Sequence, residues 1–210
     1  MKPFFIVLLL VAVLSFSVIL LCSDIDMQFC SYLAEHFTTL GAAAIHLGLF
    51  SAAMIYLWKK DLKTTLKSLA FPGDIKKNLM LSAAGFAMVL ITLLILGIIA
   101  EYFGFADQEA VYEKVLELPV YVLLFAVIAA PVSEELFFRA LLVPRIGVLA
   151  SSVLFGLMHF SYGSVIEIAG AALVGIILGV IYKTGKSITP VLIIHIMYNL
   201  LSILVIRLLI

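Results

Sequence analysis

The chain has 210 residues, of which 65% are hydrophobic and only 12% are charged, and its formal net charge at pH 7 is zero. Soluble domains are about half apolar and about a quarter charged, so this composition excludes an ordinary soluble domain. The balanced charge offers no basic field for nucleic acid, and two cysteines without a CxxC pair exclude a disulfide framework. We therefore predict a polytopic membrane protein whose partners are the lipid bilayer and membrane-associated molecules, not nucleic acid.

Seven apolar runs approach the roughly 20 residues that a helix needs to cross a hydrocarbon core of about 30 Å. In chain order they are Pro3–Cys22, Leu40–Trp58, Leu79–Phe103, Pro119–Leu142, Gly147–Phe160, Gly163–Tyr182 and Ile188–Ile210. The first run follows Lys2 but has no small-residue cleavage site, so we expect a retained helix and not a signal peptide. The predicted fold class is all-α, a bundle of about seven transmembrane helices.

We expect one integral-membrane domain over residues 1–210, with N-terminal helices over 1–118 and a functional core over 119–210. If the N-terminus is cytoplasmic, eleven Lys and Arg residues fall on or near the cytoplasmic side, and only Lys114 and Arg207 fall opposite. This bias predicts a cytoplasmic N-terminus in a multi-pass protein, for which we expect a prokaryotic plasma membrane.

Two segments between the runs carry apolar residues at helical spacing beside charged ones. Asp61–Lys77 is basic and Ala106–Leu118 is acidic, so both are candidates for helices lying at the membrane interface. A solvated loop is the alternative for the first. Cys22 and Cys30 flank the start of another loop, where either a disulfide or two free thiols would be compatible with the sequence.

Two adjacent glutamates and an arginine interrupt the fourth apolar run, in the stretch PVSEELFFR over residues 131–139. A charge at the bilayer centre costs roughly 2.5–3.5 kcal/mol on insertion scales, so ionisable residues there indicate a function by default. Glu135 and Arg139 are four residues apart on one helical face and can pair. Glu134 points about 100° away and is free for another task. A buried clasp between helices is the structural alternative.

Three more polar residues lie in the later runs. His159 ends the fifth run, and His195 and Asn199 are i and i+4 in the last. Counted from the cytoplasmic helix ends at about 1.5 Å per residue, Glu134, His159 and His195 lie roughly 14, 18 and 10 Å deep. The similar depths predict one water-filled cavity. Glu134 could act there as general base on a water that His159 orients, and His195 and Asn199 could donate to an oxyanion.

Other polar and small residues fit packing roles. His46 and Glu167 are isolated in their runs, and we expect contacts between helices, with control of access to the cavity as the alternative. Ser152-xxx-Gly156 and Gly175-xxx-Gly179 are small-residue pairs that predict a close approach of helices.

Three motifs on successive apolar runs together resemble the CPBP (Abi) family, which includes the type II CAAX prenyl endopeptidases. They are Glu134-Glu135-xxx-Arg139, Phe155-xxx-His159 and His195-xxx-Asn199. The resemblance covers about Pro119–Leu200, and the N-terminal half contributes only generic membrane helices.

The resemblance implies an intramembrane endopeptidase that cleaves a membrane-anchored peptide or protein, with prenylated CAAX-type sequences among the candidate substrates. By carry-over, Glu134 and His159 activate water, while His195 and Asn199 hold the oxyanion. Glu135 and Arg139 support the site.

Whether the site needs a metal cofactor stays open. Glu134, His159 and His195 could bind zinc with one position free, but the sequence has no HExxH helix, so we favour a glutamate-activated water with no metal required. A non-catalytic scaffold or peptide- or lipid-binding protein of bacteriocin-immunity type is the main alternative. A solute transporter is disfavoured because no internal repeat is visible. Substrate identity, the bond cleaved and the oligomeric state stay open.

Overall fold

The computed structural model describes residues 27–57, residue 69 and residues 73–209, with side chains from residue 41 onward. Three of the features predicted above therefore lie wholly or largely outside the described residues: the first span Pro3–Cys22, the Cys22–Cys30 pair and the segment Asp61–Lys77. The described part of the chain is mostly helical and contains no strand, which confirms the all-α class.

The helices are α1 (Met27–Leu57), α2 (Ile75–Phe103), α3 (Glu109–Glu117), α4 (Val120–Glu134), α5 (Val143–Leu157), α6 (Val165–Gly185) and α7 (Thr189–Leu209). A π-helical segment, Glu135–Leu142, joins α4 to α5, and a 3-10 turn, Met158–Tyr162, leads towards α6.

Four helical stretches of the described chain are long and apolar enough to cross a membrane. They are Ile75–Phe103, Val120–Tyr162, Val165–Gly185 and Thr189–Leu209. These stretches identify an integral membrane protein. The apolar part of α1, Gly41–Leu57, is shorter, so a total of seven spans stays a prediction.

The 43-residue stretch Val120–Tyr162 is not one straight helix. Gly147 has φ 82° and ψ 172°, a conformation essentially restricted to glycine. The Ser151 hydroxyl donates to the Phe138 carbonyl across 2.8 Å, although the two residues are 13 apart. In a straight helix that separation would be about 20 Å. The chain therefore folds back near Gly147, at the point where the sequence analysis begins a new span.

Helices α5 and α6 approach each other closely at the small residues singled out in the sequence. A Cβ atom on Gly156 would lie 2.6 Å from the Ile168 carbonyl oxygen, and one on Gly175 would lie 3.0 Å from the Ser152 Cβ. The later of the two positions in α5, Gly156, contacts the earlier position in α6, and Ser152 contacts the later one, so the two helices are antiparallel.

Helix α7 runs antiparallel to α4, and both carry polar groups of the site described below. Asn199 donates through Nδ2 to the Ala126 carbonyl at 2.9 Å, and Arg207 donates to the Leu118 carbonyl just before α4. Helix α1 also packs against α4. The acidic segment predicted to be interfacial forms α3, which buries Val115 against α4 and α7.

The first turn of α6 is capped from outside the helix. Ser164 at the N-cap accepts from the Glu167 amide at 2.9 Å and donates to Asp107 at 2.6 Å. The Asp107 carboxylate also accepts from the amides of Val165 and Ile166. Desolvation alone raises the pKa of Asp107, but these hydrogen bonds outweigh it and hold the pKa below its ordinary value.

We predict that Gly156→Ala destabilises the protein by about 1–3 kcal/mol, because the new methyl group meets a backbone oxygen that cannot move aside. The midpoint of thermal unfolding in detergent measures the loss. Gly97→Ala in α2 is the control, since a Cβ there meets nothing within 4 Å. Equal behaviour of the two variants would contradict close packing of α5 on α6.

We predict that Asp107 stabilises the fold in a pH-dependent way. Its folded pKa is lowered, so the stabilisation is complete above the unfolded pKa, near 4, and is lost as the pH falls through the folded pKa. Unfolding midpoints of the wild type and of Asp107→Asn, which keeps an acceptor but no charge, should differ at neutral pH and converge in acid. A difference independent of pH would show that the charge contributes nothing.

Candidate active site

Glu134 and Glu135 lie where α4 passes into the π-helical segment. Pro131, one turn earlier, has no amide hydrogen to donate within the helix. At the end of the segment the Val143 amide donates to the Phe138 carbonyl five residues back, which gives the wider turn of a π-helix. Short π-helical segments inside α-helices occur frequently at functional sites.

Glu135 and Arg139 form the ion pair expected from their spacing. Arg139 Nε lies 3.0 Å from Glu135 Oε2, and both side chains are almost completely buried. The guanidinium carbon lies 4.4 Å from the centre of the Phe155 ring, which adds a cation–π contact from α5. Arg139 Nη1 and Nη2 have no hydrogen-bond partner among the described residues. The ring and the carboxylate thus hold the guanidinium between them.

His195 is oriented by this ion pair. Its Nδ1 lies 2.7 Å from Glu135 Oε1, and because a carboxylate paired with arginine is an acceptor, we assign the Nδ1 proton as the donor. The other ring nitrogen, Nε2, lies 3.5 Å from Glu134 Oε2. Glu135 therefore turns the free nitrogen of His195 towards Glu134.

Glu134 also faces a histidine that lies outside the predicted set of site residues. Its Oε1 lies 3.6 Å from His46 Nε2, and the Glu134 side chain is 14% exposed. The Nδ1 of His46 lies 2.8 Å from the Ser133 hydroxyl. His46 stands alone in α1, far from the other motifs in the chain, and only its rarity as a polar residue in an apolar run could have drawn attention to it.

In the described part of the chain, the side chains of His159 and Asn199 form hydrogen bonds with backbone carbonyls. His159 Nδ1 lies 2.9 Å from the Phe155 carbonyl, and Asn199 Nδ2 donates to Ala126. The Phe155 ring contacts both the His159 ring, at 4.9 Å, and the His195 ring, at 5.8 Å. Phe155 thus links the two histidines, while the roles of His159 on the water and Asn199 on the oxyanion stay predictions.

The structure offers no ready-made metal centre in its described part. Those residues contain no group of three or more His, Cys, Asp or Glu side chains that could hold a metal ion. Glu134, His159 and His195 therefore do not form a zinc ligand set in this arrangement. The described part of the site brings carboxylates and imidazoles together, and the question of a metal cofactor stays a prediction. Glu167 donates its backbone amide to Ser164 in the α6 cap, and the role of its side chain stays open.

Residues 116–201, about two fifths of the chain, match the family described as type II CAAX prenyl endopeptidase Rce1-like. This part of the chain is similar to that family. The Rce1-like segment begins in α3 and ends in α7, and it contains every residue of the site except His46. No curated protein and no solved structure matches the chain. The similarity is thus to a family of prenyl endopeptidases, and it is confined to this segment of the chain.

We predict that Arg139→Met destabilises the protein by about 3–5 kcal/mol, because it leaves the carboxylate of Glu135 buried without its partner. Replacing both residues, as Glu135→Leu with Arg139→Met, should cost less than the single change. Unfolding in detergent measures all variants. Arg145→Met is the matched control, since this exposed guanidinium rests on Tyr56 and is worth about 1 kcal/mol or less. A single variant as stable as the wild type would contradict the supporting role of the ion pair.

Proposed function

We propose that this protein is an intramembrane endopeptidase that cleaves a membrane-associated peptide near its C-terminus or at the membrane border by means of a water activated by Glu134. The observation that carries the proposal is the position of the Glu134 carboxylate. It is partly exposed, and one of its oxygens faces a histidine whose other nitrogen is held by the buried Glu135–Arg139 pair.

Glu134 is suited to remove a proton from water. Among the described residues, Glu135 is engaged by Arg139 and His195, whereas the two imidazole nitrogens that face Glu134 lie 3.5 and 3.6 Å away, at or beyond the limit of a direct hydrogen bond. These distances leave the carboxylate available to a small donor such as water. Its ionised form is then a general base inside the helix bundle.

The hydrolysis needs three movements. Glu134 takes one proton from water, and the water oxygen forms a bond to the carbonyl carbon of the peptide. His195 Nε2, 3.5 Å from Glu134, receives that proton and passes it to the peptide nitrogen as the carbon–nitrogen bond breaks. The products are a carboxylic acid and an amine, and the enzyme returns to its starting state.

When water attacks the peptide bond, the negative charge that develops on the carbonyl oxygen requires a hydrogen-bond donor. The Asn199 amide group has two N–H donors, of which one binds the Ala126 carbonyl. We propose that the second serves the oxyanion, together with His195 while it carries the proton on Nε2. His159 completes the set as the residue that orients the water, as the family resemblance implies.

The proposed substrate is a peptide or protein anchored in the bilayer, with a prenylated CAAX-type C-terminus as the first candidate because the matched family is described by that substrate. An apolar anchor would place such a peptide in the hydrocarbon next to the helices, so the scissile bond could reach Glu134 without crossing bulk water.

We predict that Glu134→Gln abolishes cleavage, with kcat lowered at least about 10²- to 10⁴-fold, while the fold is retained because the amide is nearly isosteric. The assay is cleavage of a farnesylated CAAX peptide with a fluorescent reporter by purified protein in proteoliposomes. Glu101→Gln, at an exposed position near the end of α2, is the matched control and should be fully active. Full activity of Glu134→Gln would overturn the proposed mechanism.

A further inference from the structure

We propose that His46 is a further catalytic residue, whose Nε2 binds the attacking water together with Glu134. The inference rests on the proposed function and extends it to a helix outside residues 116–201, the segment that matches the family. It assigns to α1 a direct part in the reaction that neither the motifs nor the family match assigns to it.

The hydrogen bonds of Ser133 fix which nitrogen of His46 carries the proton. The Ser133 hydroxyl has a single proton, and it donates this proton to the Ala130 carbonyl at 2.8 Å. Its 2.8 Å contact with His46 Nδ1 must then be a hydrogen bond in which Nδ1–H donates. Neutral His46 therefore presents an unprotonated Nε2, which is an acceptor.

Two acceptors then face each other across a short gap. His46 Nε2 and Glu134 Oε1 are 3.6 Å apart, too far for a direct hydrogen bond, and neither has a proton to donate when Glu134 is ionised. A water molecule between them can donate one proton to each at about 2.8 Å. Its oxygen lone pairs then point away from both groups, which is the orientation that attack on a carbonyl carbon requires.

The environment of His46 fits a working group that small molecules can reach. The His46 and Glu134 side chains are 18% and 14% exposed, whereas His195, on the opposite oxygen of Glu134, is only 6% exposed. Of the two histidines that face Glu134, His46 is therefore the more exposed to solvent. The edge of the His46 ring packs against Phe125 at 5.3 Å between centroids, which with the Ser133 bond limits rotation of the imidazole.

If His46 served in packing alone, its role would depend on the hydrogen bond from Nδ1 to Ser133. Two substitutions distinguish the role of Nδ1 from that of Nε2. His46→Asn places an amide N–H where Nδ1 stood and keeps a donor for Ser133, but it has nothing in place of Nε2. His46→Gln reaches the position of Nε2 with an amide oxygen that can accept from water.

The experiment measures kcat and KM for the farnesylated CAAX peptide with the wild type, His46→Asn, His46→Gln and Glu134→Gln, and unfolding midpoints for all four. We expect His46→Asn to lower kcat about 100-fold with little change in KM and with its unfolding midpoint preserved. His46→Gln should recover part of the lost kcat. Activity close to wild type in His46→Asn would show that only the Ser133 contact matters and would overturn the inference.

The controls distinguish a failure of the role of His46 from a failure of the proposed endopeptidase activity. If Glu134→Gln is inactive while both His46 variants are fully active, the endopeptidase stands and the role of His46 falls. If the wild type cleaves no membrane-anchored peptide, both fall together. If His46→Asn unfolds, the kcat of a folded His46→Gln decides: a value restored above that of a folded His46→Ala supports acceptance from water, and equal values overturn it.

Discussion

The buried ion pair between Glu135 and Arg139 is the interaction on which the rest of the site depends. Its members lie within one turn of each other, yet they bring together three helices. The guanidinium rests on Phe155 of α5, and the carboxylate holds His195 of α7. Because one carboxylate oxygen faces arginine and the other faces histidine, the pair fixes an imidazole as well as a charge. Two adjacent glutamates thereby differ in their contacts: Glu135 is held between Arg139 and His195, while Glu134 lies 3.5 and 3.6 Å from two imidazole nitrogens and is the general base in the proposed mechanism.

The backbone makes this separation possible. In the π-helical segment the turn is wider than in an α-helix, and the fold-back at Gly147 returns α5 along the same segment. The Ser151 hydroxyl and the Phe155 ring then meet Phe138 and Arg139 from a part of the chain that a straight helix would have carried away. Close packing of α5 on α6 through small residues keeps this hairpin in place.

Much of the fold could be predicted from sequence because the physical signals are local. Long apolar runs indicate membrane helices, and the spacing of Glu135 and Arg139 indicates a pair on one face. The three motifs indicate, without any coordinates, the segment that is similar to the family. The position of His46 could not be predicted in this way. Its neighbours in space, Ser133 and Glu134, are distant in sequence, and no periodicity connects a residue in α1 with a particular turn of α4.

The partners of individual ring nitrogens and amides were also beyond the sequence. The contact of His195 Nδ1 with Glu135 depends on the register of α7 against α4. The hydrogen bond from the Asn199 amide to the Ala126 carbonyl depends on the same register. Register between membrane helices is set by side-chain packing and not by hydropathy, which is nearly uniform along both helices. Depth estimates from helix ends could place these residues at a similar level but could not decide their contacts.

The fold-back at Gly147 bears on how the chain enters the bilayer during synthesis. A single charged residue inserted on its own meets a cost of roughly 2.5–3.5 kcal/mol at the membrane centre. Here the arginine follows its carboxylate by one turn, and the aromatic ring that covers it arrives on the next arm of the same hairpin. The compensation for the buried charge is therefore encoded within one short stretch of nascent chain. Residues 135–155 can enter the membrane with the Arg139 charge already paired with Glu135 and covered by Phe155, before the last helix brings His195 into place.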